Sequence, residues 1–178
     1  FPTEIPKAQI QVAWPTVDFS DFKRKNRLVA LGAVVNDRLR EKVREELGDS
    51  YSPSAGNDSS GTWTNYGTLS AVVTVDPAQS EAVAKVVTEI GRELSRGNDI
   101  TPDELDRALK PILGSLEEMF RTNAYWLNGV LQSSQENPKR LEWARQMLGD
   151  IKATTVGEVN ALAAEFLKES GVDVRRDP

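Results

Sequence analysis

Hydrophobic and polar residues first alternate regularly at Gln9-Ile10-Gln11-Val12-Ala13-Trp14, where Ile10, Val12 and Trp14 take every second place. Period two predicts a strand with one buried face, stopped by Pro15. Asp18 or the pair Ser20-Asp21 can then cap a helix reaching about Leu47. Its apolar positions Leu28, Leu31, Val35, Leu39, Val43 and Leu47 recur every three or four residues and form one stripe, and Gly48 suits the residue just past a helix end. Tyr51 to Ala55 reads as an irregular strand, an edge or a bulge, because Pro53 cannot donate to a ladder. Gly67 to Val75 is a regular strand with Leu69, Ala71, Val73 and Val75 on one face. Between these two, Gly56 to Thr62 has turn composition and predicts a mobile hairpin loop.

The period then changes to that of helices. Asp76-Pro77 opens a helix with Val83, Val86, Val87, Ile90 and Leu94 on one side, closed by Gly97-Asn98. Thr101-Pro102-Asp103-Glu104 combines an N-cap, a first-turn proline and a reciprocal glutamate. The helix it starts carries Leu105, Leu109, Ile112, Leu116, Met119 and Phe120, with a kink expected at Pro111. Tyr125-Trp126-Leu127 begins or extends another helix, and Leu141, Ala144, Leu148 and Ile151 mark the next. Thr155-Val156-Gly157-Glu158 is a second capping box, ahead of Val159, Leu162, Ala163 and Phe166; Val172 to Val174 reads as a short last strand or a cut end. The order β-α-β-β-α followed by several helices predicts an α+β fold: a single antiparallel or mixed sheet with helices packed on one face. One domain over 1–178 suffices, and the opening Phe1-Pro2, without a methionine, suggests a piece excised from a longer protein.

Composition narrows the chemistry. The 178 residues include no His and no Cys. That excludes serine–histidine triads, cysteine nucleophiles, disulfides and histidine-ligated zinc within this chain. A net charge of −5 argues against nucleic acid as partner, since phosphate binding requires concentrated positive charge. Lys23, Arg24, Lys25 and Arg27 form the one basic cluster and read as a solvated helix face. No stretch approaches the roughly 20 apolar residues of a membrane span. The compartment stays open between bacterial periplasm and cytoplasm. Glu45-Glu46 and Glu117-Glu118 read as surface charge; Trp63, Tyr66 and Ser59-Ser60 read as a solvated loop, and Tyr125 with Trp126 as packing residues.

Two residues are each accounted for by local structure when taken alone. Arg44 stands in a last helical turn, where the helix dipole favours a cation, and Tyr51 follows seven positions later at a strand opening. The surrounding string Arg38-Leu39 … Val43-Arg44-Glu45 … Tyr51-Ser52 … Ala55 resembles the stretch R-L-x-x-x-[VI]-R-E-x-x-G-x-x-Y-S-x-x-A of insulinase/pitrilysin-type zinc metallopeptidases, in their C-terminal domains. The glycine is displaced by one, Leu47-Gly48 standing where many relatives have Gly-Leu. Val12-Ala13-Trp14-Pro15-Thr16, Asp76-Pro77, the run Ile100 to Ala108, Thr122 to Leu127 and Thr155 to Ala163 are similar to the same family in order and spacing.

The resemblance implies a domain from the half of such an enzyme that does not bind zinc, since the family's H-x-x-E-H motif cannot occur here. It implies no cofactor in this chain and a zinc ion in a partner domain, the N-terminal zinc-bearing half, whether covalently linked or a separate subunit. Arg44 would then hold a backbone carbonyl of a peptide substrate, and Tyr51 would offer its hydroxyl to the scissile carbonyl. A non-catalytic structural or assembly subunit of the same superfamily is the alternative. An unrelated α+β binding module has no specific support.

Overall fold

The alternation over 9–14 and 67–75, the helical stripes and both capping boxes become structure in the computed structural model, which describes residues 7–47, 52–97, 100–168 and 171–176. The elements, in chain order, are β1 (Ala8–Thr16), α1 (Phe22–Leu47), β2 (Ser54–Ser59) and β3 (Gly67–Val75). A 3-10 turn (Pro77–Gln79) leads into α2 (Ser80–Leu94), followed by α3 (Pro102–Met119). A π-helical stretch (Tyr125–Leu131) runs on into α4 (Gln132–Ser134). α5 (Lys139–Lys152), α6 (Val156–Phe166) and β4 (Gly171–Arg176) complete the chain. The strands form one antiparallel sheet in the order β2-β3-β1-β4.

Register ties the sheet's buried face together. Ile10 pairs with Val73, Val12 with Ala71 and Trp14 with Leu69, and all six side chains are fully buried. The α1 stripe lies in the same core, with Leu28, Leu31, Val34, Val35 and Leu39 sealed from water, as are Val83, Val87, Ile90 and Leu94 of α2. Trp14 packs against α2 at Gly91, where an added Cβ would stand 2.6 Å from the indole. The opposite sheet face, with Gln9, Gln11, Thr68, Ser70 and Thr74, stays partly or fully exposed.

Both capping boxes are present. Thr101 accepts from the Glu104 N–H and Thr155 from the Glu158 N–H, while each glutamate reaches back to its cap. Asp21 caps α1, accepting from the Arg24 N–H at 2.9 Å, and Gly97 takes φ +76 past α2. α3 runs through Pro111 as one helix.

Three expectations need correction. Pro15 lies inside β1 rather than ending it, because β4 pairs only as far as Ala13 and leaves an open edge where a missing N–H is harmless. Gly56 to Ser59 is strand, not loop; it pairs with Ser70 to Gly67, and the hairpin tip is only 60–66. The basic cluster is only in part a solvated face, with Lys23 exposed. Arg27 is buried, bonded to Glu158 and to the Asp150 carbonyl, Arg24 pairs with Glu165, and Lys25 lies over the rings of Phe19 and Phe22.

Candidate functional site

The segment that bears Arg44 is held from three sides. Val43 is buried, fixing the rotation of the last turns of α1. Arg38 grips Glu104 of α3 through Nε–H at 2.6 Å and a second N–H at 3.0 Å, and both side chains are nearly buried. Lys42 donates to Glu93 of α2 at 2.9 Å, and Arg107 of α3 donates to Asp37 at 2.8 Å. Arg38, first residue of the motif, thus acts as a strut: it braces the helix and also the carboxylate that caps α3. Charge at this end of α1 is consistent with the unsatisfied carbonyls found there.

On its other side α1 touches the strand that follows. A Cβ on Gly32 would lie 3.0 Å from the Asn57 nitrogen and 3.1 Å from the Gly56 Cα, so the glycine lets helix and edge strand meet at backbone distance. Asn36 then accepts the Ala55 N–H at 2.9 Å. That bond occupies a donor which an edge strand would otherwise leave open. Arg44 sits in the final turns of α1, and β2 begins shortly after Tyr51. The Arg44 side chain and residues 48–51, Tyr51 among them, lie outside the described residues, as does the displaced Gly48.

The hairpin tip beside β2 is built to hold its shape. Ser60 donates its N–H to the Tyr66 carbonyl at 2.9 Å and accepts the Phe19 N–H at 3.0 Å. Its hydroxyl accepts from the N–H groups of Thr62 and Trp63. Asp18 accepts the Ser20 N–H on one oxygen, at 2.8 Å, and on the other the N–H of Asn65, a residue in the left-handed region at φ 56. These bonds, led by the Ser20 hydroxyl, keep the Asp18 carboxyl below the usual range. Yet Trp63 and Tyr66 on this tip are 70% and 60% exposed. Between tip and α5 lies a groove of about 170 Å³, with Phe19 and Trp143 in its wall. Phe19, Phe22 and Trp143 form one aromatic group with centroids 5.1–5.8 Å apart. Sequence patterns did not show Asp18 and Trp143 as neighbours of Trp63, since nothing local couples residues 45 and 80 positions away.

The same fold occurs in an inactive peptidase domain from Bordetella parapertussis, which superposes with a TM-score of 0.79 at 11% identity and covers 100% of this chain and 96% of that one. The periplasmic protease PqqL from Escherichia coli superposes at 0.73 with 18% identity, over 97% of this chain but only 19% of that one. In sequence, the chloroplastic stromal processing peptidase of Pisum sativum is 32% identical over 140 residues, 78% of this chain and 11% of that protein. Residues 2–112 match the family described as the peptidase M16 inactive domain. The chain belongs to that family. It spans about a tenth of the length of the curated relatives it matches.

With neither imidazole nor thiol in the sequence, a metal would have to be held by oxygen ligands, and no group of three or more carboxylates gathers among the described residues. The residues present do not fit a zinc site of the usual ligand type. No helix among the described residues is long and apolar enough to cross a membrane.

Proposed function

We propose that this M16 inactive domain is the substrate-binding, chamber-closing part of a zinc-dependent endopeptidase, lending Arg44 and Tyr51 to a site whose metal is held in another domain. One observation carries the reading: a peptidase-family domain devoid of His and Cys keeps Arg44 and Tyr51 at the spacing of the family motif, with Arg44 in the last turns of a braced helix. Arg44 is a permanent cation with several donors and can anchor a peptide carbonyl whatever the side chains around it. Tyr51 has a neutral phenol that can donate to the carbonyl oxygen as it gains negative charge on becoming tetrahedral. The partner is the zinc-bearing half, and the substrate is a peptide.

The test belongs in the complete parent enzyme. Tyr51→Phe should lower kcat/KM roughly 100- to 1,000-fold, the usual effect of removing one such donor, while leaving the melting temperature unchanged. Arg44→Ala should act mainly through KM. Unchanged kcat/KM in both variants would remove the assignment. The 178-residue chain alone should hydrolyse no peptide, with or without added zinc. A parent whose first domain lacks H-x-x-E-H would place this chain with the structural and assembly subunits instead.

A further inference from the structure

We propose that the groove between the hairpin tip and α5 is a binding site for a cationic side chain, the guanidinium or ammonium of an arginine or lysine in the peptide substrate. The inference adds a substrate preference to the proposed peptide-binding role and rests on it.

The walls of the groove decide its chemistry. Trp63, Trp143 and Phe19 line it with aromatic rings, and Asp18 is the only charged group among the described residues that line it. Ser60 and Thr62 add hydroxyls, and the remaining lining groups are uncharged. A carboxylate beside aromatic rings, with no cation among the described lining residues, attracts positive charge through its own charge and through the ring quadrupoles. Asp18 meets only N–H and hydroxyl donors, which keep it ionised without cancelling its charge. The same aromatic group already holds an ammonium elsewhere, for the Lys25 Nζ lies 5.2 Å from the Phe19 centroid and 5.5 Å from that of Phe22.

Size and rigidity agree with this. A hollow of about 170 Å³ is close to the roughly 150 Å³ that accommodates a benzene ring, and a planar guanidinium with its last methylenes fits the same space. The tip is fixed through Ser60 and Asp18 before any ligand arrives. The backbone that carries Trp63 is thus held before contact, which lowers the ordering cost of binding.

The experiment uses the 178-residue chain and three blocked tripeptides, acetyl-Gly-X-Gly-amide, with X arginine, citrulline or norleucine. Citrulline keeps the shape of arginine but lacks its charge, and norleucine keeps only the stem. Tryptophan fluorescence and calorimetry should show the arginine peptide binding at least tenfold more tightly than either control, with affinity falling as salt rises. Trp63→Ala should weaken arginine binding about tenfold and Trp63→Phe much less; Trp63 is exposed, so neither change threatens folding. Equal affinity for arginine and citrulline, tighter binding of norleucine, or no effect of Trp63→Ala would each overturn the proposal. Arginine binding by the chain would persist if the Tyr51→Phe test in the parent failed, so the two ideas fall separately.

Discussion

Arg38 and Glu104 both leave water on folding, and the two parallel hydrogen bonds between them are what make that tolerable. Removing one member strands the other. Arg38→Ala should cost about 3 kcal/mol, and it should do so by releasing both the last turns of α1 and the cap of α3. Arg38→Met together with Glu104→Leu should recover most of that loss, because it leaves no buried charge behind; urea titrations of the single and double variants check both statements. Gly67 shows a different constraint. A Cβ there would stand 2.2 Å from the Val17 carbonyl oxygen, which belongs to the backbone and cannot rotate away. Gly67→Ala should therefore lower stability by about 2 kcal/mol, readable as a shift in the urea midpoint at unchanged slope.

Among the elements, those with their own period or cap were legible before any coordinates. Ile10, Val12 and Trp14 of β1, the stripe of α1 and both capping boxes depend on neighbours within a few residues, so the sequence displays them. Failures arose where a distant segment decides. Pro15 continues β1 because β4, some 160 positions later, stops short of it. Gly56 to Ser59 became strand because β3 offers a ladder stronger than the local turn preference of glycine, asparagine and serine. Arg27 is buried, against its local pattern, because Glu158 and Asp150 approach it from α6 and α5. The candidate site divides likewise: its arginine and tyrosine form a local motif, whereas the groove joins three separate stretches of chain. Contact between α1 and β2 belongs to this scale too. Gly32→Val should push β2 off the helix, breaking the Asn36–Ala55 bond, with a loss of about 1–3 kcal/mol. Faster amide exchange at Ala55, with α5 and α6 unaffected, would identify that local cause.

At the scale of the whole molecule, acid sensitivity follows from carboxylates whose affinity for protons is lowered by folding. Asp18 and Glu158 both lie below their ordinary range, the first chiefly through the Ser20 hydroxyl and the second chiefly through the Thr155 N–H. Groups of this sign contribute stability above their unfolded values, roughly 4, and lose it as the pH falls through the folded ones. Neutral solution should thus be flat for these two groups, with loosening only below about pH 4. The hairpin tip should report it, as a change in Trp63 emission that Asp18→Asn removes.

Seen from its uncovered side, the sheet presents Gln9 beside Thr74, Ala13 beside Ser70 and Pro15 beside Thr68, a surface of amides, hydroxyls and short stems. Such a wall stays wetted, and it neither seeks an oily neighbour nor depends on one. Recolouring it with charge should scarcely disturb the domain: Thr74→Lys or Ser70→Glu should stay within about 0.5 kcal/mol of the parent stability. Those same changes would alter the field felt by anything bound against this face, while the scaffold beneath stayed the same.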